Sequence, residues 1–146
     1  MNTFLPYESF AKSASCLDRQ RLGKQRVEAM QILNMLVGRS RGNWQRHPAV
    51  RMWRGYEWML LRYGVAICRE WLDRGYRDTV LRRLLTEYAE VWAGSTDTPF
   101  WLGDKAFHAA HRSNLLRKNA EWYGQFGWME PTNLPYVWPV PMEITT

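Results

Sequence analysis

The sequence predicts an all-α chain, a compact single-domain bundle of about four helices followed by an extended, aromatic and proline-rich C-terminal tail. Three observations predict it. Apolar residues recur at helical spacing through much of the chain, period-two alternation is almost absent, and glycines or prolines stand where such helices would start and stop. The length of 146 residues, 46% of them hydrophobic, suits one domain over residues 1–146 with a sizeable core.

The opening MNTFLPYESFAKSAS contains Pro6 and reads as an irregular lead-in, with Ser13 or Ser15 placed to cap the first long helix. That helix runs to about Val37 and is stopped by Gly38. GRSRGNWQRHP is a loop by composition, and Pro48 fits the first turn of a second long helix reaching about Asp73, with Gly75 as its stop. A third helix starts near Asp78, carries Val80, Leu81, Leu84, Leu85, Tyr88 and Val91 at helical spacing, and ends at Gly94. A fourth covers about Lys105 to Lys118. The remaining segment is rich in aromatics and prolines and is predicted to extend over the surface.

Lys and Arg number 20 against 14 Asp and Glu, a formal charge of +6. A polyanionic partner, most economically nucleic acid, follows. Sixteen of the cations are Arg, whose planar fork grips phosphate. Two cysteines, Cys16 and Cys68, are too few for a disulfide framework, so a reducing, cytoplasmic location is expected. No basic leader with an apolar run and no stretch of about 18 apolar residues suggests secretion or a membrane span. A monomer is the expected state.

The stretch LDRQRLGKQRVEAMQIL sets one carboxylate, Glu28, among Arg19, Arg21, Lys24 and Arg26. At about 100° per residue, Leu22, Ala29, Leu33 and Leu36 share a core-facing arc with Met30 and Val37 beside them. Glu28 points elsewhere, with Lys24 and Arg21 one and two turns before it and Gln31 one turn after. One reading is a solvated face with a Lys24–Glu28 pair at i,i+4. The other is that the cations hold a phosphate backbone while the carboxylate works on the sugar between phosphates. There it would stabilise an oxocarbenium-like centre or accept a proton.

The stretch QRLGKQRVEAMQIL resembles the first helix of the pyrimidine-dimer DNA glycosylase/AP lyase family typified by bacteriophage endonuclease V, in which a glutamate on that helix is catalytic. The likeness continues, in order and at similar spacing, through HPAVRMWRGYEWMLLRYGVAICREWLDRGY and HRSNLLRKNAEWYGQFGW. It implies a mainly helical, metal-free and cofactor-free enzyme that acts on double-stranded DNA containing damaged or modified pyrimidines, most directly cyclobutane dimers. A base is extruded from the duplex. The chain's own α-amino group attacks the sugar C1′, a Schiff base forms, and β-elimination breaks the strand.

By position, the resemblance makes Glu28 the catalytic carboxylate and puts the nucleophilic amine on Met1 or, after its removal, on Asn2. Arg21, Lys24, Arg26, His111, Arg112, Arg117 and Lys118 line the DNA track, and Trp122 and Tyr123 pack near the lesion, although core packing suits those two aromatics equally well. The chain departs from the family type in carrying Val27, not arginine, directly before the glutamate. A relative acting on another modified base by direct hydrolysis is the alternative, as is a non-catalytic helical DNA-binding module.

Other constellations point less sharply. His108 and His111 stand at i,i+3, but with only His47, Cys16 and Cys68 as further soft ligands no metal-site spacing emerges, and none is expected. The cysteines lack a nucleophile signature, and GRSRG is too short for a phosphate-cradling loop. Among the lysines, Lys24, one helical turn from Glu28, is the competitor to the terminal amine.

Overall fold

A computed structural model describes residues 1–140, and among these every regular element is helical. In chain order they are α1 (Phe10–Cys16), α2 (Arg19–Leu36), a 3-10 turn (Asn43–Arg46), α3 (Pro48–Arg51), α4 (Glu57–Asp73), α5 (Val80–Thr86), α6 (Ala89–Trp92), α7 (Lys105–Lys118), α8 (Ala120–Tyr123) and a 3-10 turn (Gly124–Phe126). The bundle centres on α2 against α4, with α1 and α5 packed on α4. The close crossing is built at Gly64. A Cβ there would stand 3.0 Å from Leu84 Cδ1 and 3.5 Å from Ala29 Cβ, so a larger residue would push α5 and α2 away.

The expected α7 is present at its expected bounds, α2 ends where expected, and Pro48 does open a helix, but four expectations change. The lead-in contains α1, capped by Ser9, whose hydroxyl accepts from Lys12 N at 3.1 Å. Ser13 and Ser15 lie inside α1 and cap nothing, and Asp18 precedes α2. The second long helix is two helices, α3 and α4, because the chain turns at Gly55 with φ +87°. The third is α5 and α6, broken at Glu87–Tyr88, where buried Tyr88 meets Asn34 Oδ1 through its phenol. The tail begins with α8 before it extends, and residues 141–146 of the expected tail fall outside the described residues.

The amino-terminal segment is the element that most directly shapes the site. Residues 2–6 are buried without belonging to any helix or sheet, so their backbone polar groups need side-chain partners. Gln25 Oε1 accepts from Phe4 N at 3.0 Å, and the Tyr63 hydroxyl donates to Phe4 O at 2.9 Å. His111 Nδ1 accepts from Leu5 N at 2.9 Å, and His108 Nδ1 holds Leu5 O at 2.7 Å. Arg112 donates to Pro6 O at 2.7 Å, and Trp53 Nε1 donates to Thr3 Oγ1 at 3.0 Å. Side chains from α2, α4 and α7 thus grip the terminus residue by residue.

This grip reassigns His111 and Arg112, both expected on the DNA track, and accounts for the neighbouring His108 as well. His111 is buried and spends Nδ1 on Leu5, so it does not reach a duplex. His108 accepts from Gly103 N at Nε2, so both of its nitrogens are engaged. Arg112 is held by Glu130 at 2.7 Å as well as by Pro6.

Burial, with His108 nearby, pushes the His111 imidazole down to about 3, and burial lowers His108 too. In the unfolded chain such rings titrate at about 6.5. Below that pH the unfolded chain takes up protons that the folded chain refuses. Stability present above about pH 6.5 is therefore lost as the pH falls toward 3. The urea midpoint is expected to drop between pH 7 and pH 5. His111→Asn, whose Oδ1 can still accept from Leu5, should show a smaller drop, and an equal one would assign the pH dependence to other groups.

Candidate active site

The gripped terminus emerges beside α2, at a cavity of about 400 Å³. Met1, Asn2 and Glu28 are among the residues that line it. Asn2 N points at Glu28 Oε2 across 3.5 Å, a long contact on the limit of a hydrogen bond. Gln25 makes the alignment: its Nε2 donates both to Asn2 O at 2.9 Å and to Glu28 Oε2 at 3.0 Å, while its Oε1 is fixed by Phe4 N and by the Tyr63 hydroxyl at 2.7 Å. One buried amide therefore ties the terminal backbone to the carboxylate. Its position on α2 was readable as polar, and Glu28 stands three residues on, but its other partners, Phe4, Asn2 and Tyr63, lie 21 to 38 residues away in sequence, so no local pattern announces them.

Cations form a second group around the cavity. Arg21, Lys24 and Lys118 line it, two from α2 and one from the C-terminal end of α7. Arg21 also pairs with Asp18 at 3.2 Å. Partial burial, then Arg21 and Arg117, push the Lys118 ammonium below its ordinary value, which shows how closely these charges gather. Arg117 is exposed next to Lys118, donating to Thr132 O at 3.2 Å and to Asn114 Oδ1.

Arg26, expected on this track, is turned away from it. It pairs with Asp78 at 2.5 Å and stacks over the Trp71 ring at 4.4 Å, tying α2 to the segment before α5. It is a structural cation. Tyr123 is likewise removed from the DNA-facing set: it is buried, its hydroxyl accepting from Asp18 N at 3.1 Å and donating to Asp18 Oδ1, so it closes the start of α2. Trp122 stays half-buried, its Nε1 donating to Cys16 O at 2.8 Å, beside a shallow hollow shared with Gly23 and Lys24.

The third group is aromatic and was not singled out from the sequence. His47, Tyr136 and Trp138 line the cavity. Their rings follow one another, His47 to Trp138 at 5.6 Å and Trp138 to Tyr136 at 5.5 Å, and Trp44 continues the file outward, 5.5 Å from His47. Trp44 is 53% exposed. Burial and the Met1 ammonium push the His47 imidazole below its ordinary value, which sets that ammonium close to the ring. His47 Nδ1 accepts from Ala49 N at 3.0 Å, capping α3.

A carboxylate, a chain terminus, cations and a file of edge-on and tilted rings in one cavity suit a nucleotide: phosphate to the cations, base to the rings, sugar over the carboxylate. Among the described residues no group of three or more His, Cys, Asp or Glu could hold a metal ion, and no helix is long and apolar enough to cross a membrane. The family model for pyrimidine dimer DNA glycosylase matches residues 1–84. No curated protein and no solved structure matches the chain.

Proposed function

The chain belongs to the pyrimidine dimer DNA glycosylase family, and from that premise we propose that it excises a pyrimidine of a cyclobutane dimer in duplex DNA and then nicks the strand as an AP lyase. The terminal amine, on Met1 or on Asn2 after Met1 is removed, is the nucleophile, and Glu28 is the catalytic carboxylate. The observation that carries this reading is the delivery of the terminal backbone to Glu28, with Asn2 N 3.5 Å from Oε2.

In this mechanism Arg21, Lys24 and Lys118 hold the phosphates flanking the lesion and bring the sugar over the terminus. The neutral amine attacks C1′, and the C1′–N1 pair leaves with the base. Glu28 takes the proton the amine sheds and passes it to O4′ as the sugar ring opens to the Schiff base, and, ionised again, it takes the C2′ proton whose loss expels the 3′ phosphate, while the N1 of the leaving pyrimidine takes a proton from water. Gln25 holds both reacting partners by one side chain, so the geometry exists before substrate arrives.

The test is a cleavage and borohydride-trapping panel on duplexes bearing a cyclobutane dimer, an abasic site, uracil or a hydroxymethylated pyrimidine. In the dimer duplex one glycosidic bond should be cut, that pyrimidine staying joined to its neighbour through the cyclobutane ring, and the strand should be nicked, and the dimer and abasic duplexes should both be trapped. Base release without trapping would leave a glycosylase that works by direct hydrolysis. Binding without chemistry on any member would overturn the assignment of Glu28 and the amine.

A further inference from the structure

Trp44 stands at the rim of the cavity and no step of the chemistry uses it. It is 53% exposed, although a ring of this size is usually drawn into a core. The exposure does not come from a loose loop. Trp44 belongs to the 3-10 turn Asn43–Arg46, where His47 N donates to Trp44 O at 3.0 Å, Gln45 N donates to Gly42 O at 3.2 Å, and Gln45 Nε2 ties back to Ser40 O at 3.1 Å. Pro48, Ala49 and Val50 follow it into the core, and Ala49 N fixes the His47 ring through Nδ1. Trp44 lies against that ring, 5.5 Å away and tilted by 43°, and the same His47 lines the cavity. Arg41 and Arg46 are exposed on either side of it, while Arg39 turns to Glu90. A cationic loop with a fixed aromatic tip suits a duplex: the charges meet phosphates, and the free part of the ring finds its match in the face of a base.

Resting on the glycosylase reading above, we propose that Trp44 is a wedge: its ring enters the base step beside the lesion and stacks on the flanking base pair, so that the chain selects duplex whose stacking is already broken. Intact DNA resists such entry, because a step must first be unstacked and a single stacked ring returns no more than opening costs. A cyclobutane dimer changes that balance. It joins neighbouring pyrimidines, puckers both rings and bends the axis, which loosens the stacking against the next pair. The step is then open in advance, and the stacking of Trp44 is a net gain. Because the turn already fixes the ring, little of that gain is lost to ordering it on binding. Placement agrees with the role. His47 lines the cavity and carries Trp44 against its ring, so the step that Trp44 reaches is a near neighbour of the nucleotide over Glu28. The wedge itself takes no base out of the helix; it occupies space that the lesion leaves.

An uncleavable tetrahydrofuran abasic analogue opens a step while offering neither a base nor a carbon that can form a Schiff base, so it separates the wedge from the chemistry. Dissociation constants are measured on an undamaged duplex and on the tetrahydrofuran duplex, and half-saturation concentrations for single-turnover cleavage on the dimer duplex, for wild type, Trp44→Ala and Trp44→Phe. Trp44→Ala should weaken the tetrahydrofuran and dimer duplexes about tenfold, the loss of one stacked ring, but the undamaged duplex by less than about twofold and with the salt slope unchanged, because the phosphate contacts remain. Trp44→Phe keeps a stacking face and should recover most of the loss. Since the ring is half in solvent, both variants should melt close to wild type. Equal weakening on all three duplexes, no weakening on any, or a Phe variant as weak as the Ala one would overturn the wedge. A wild-type chain that prefers the tetrahydrofuran duplex through Trp44 yet cuts no dimer duplex would leave the wedge standing and overturn the glycosylase reading beneath it.

Discussion

Glu28→Gln is expected to lower base release and strand cleavage by at least about 100-fold, the lower end of what a positioned acid–base group contributes, while leaving the melting temperature and duplex affinity close to wild type. The substitution is nearly isosteric, and its carboxamide oxygen can still accept from Gln25 Nε2, so the link between α2 and the terminal segment persists. What it removes is the negative charge and the basicity. Removing one negative charge beside Arg21 and Lys24 should, if anything, tighten phosphate binding. Rates, melting curves and salt-dependent affinity measured on one preparation decide the matter. Cleavage within about threefold of wild type would show that Glu28 is a surface charge at a cavity rim and that another group moves the protons.

Glu28 stood out in the sequence because a carboxylate on a basic helix face asks for a reason, and the surrounding cations were equally plain. α7 and the end of α2 were readable to within a residue, since each stops clearly, whereas the start of α2 was not, because the serines expected to cap it belong to α1. The breaks at Gly55 and at Glu87–Tyr88 were not, because the helical spacing of apolar residues runs on through them and only tertiary burial shows where the backbone turns. Arg26, His111, Arg112 and Tyr123 misled for one shared reason. Polar residues on helices were read as facing an outside partner, whereas partners within the fold take them: the buried terminus holds His111 and Arg112, Asp78 pairs with Arg26, and Asp18 bonds Tyr123. The aromatic file escaped because its members come from positions 44 to 138, joined only by folding.

Acetylating the terminal amine, or adding a few residues before Met1, is expected to abolish borohydride trapping on an abasic duplex. Residues 2–6 are fixed by side chains from three helices, so the terminus cannot withdraw to make room, and an added residue would have to occupy the cavity meant for the sugar. The rival nucleophiles are the lysines, whose ordinary pKa of about 10.4 leaves few neutral amines at pH 7, against about 7.7 to 8.0 for a terminal amine. The sequence pointed to Lys24 as the competitor, and the structure adds a stronger one. Lys118 lines the same cavity, and burial together with Arg21 and Arg117 pushes it downward, the direction that frees an amine for attack. Geometry still favours the terminus, because Gln25 bonds the Asn2 carbonyl and the Glu28 carboxylate at once and so keeps the terminal segment beside a proton acceptor. Mass spectrometry of the trapped complex should therefore place the DNA adduct on the peptide that begins at Met1 or Asn2. Lys24→Arg and Lys118→Arg keep the positive charge for phosphate but remove the amine, and both should still trap. An adduct on Lys118, lost in Lys118→Arg and retained by the acetylated chain, would move the nucleophile from the terminus to the end of α7 and leave Glu28 serving a different amine.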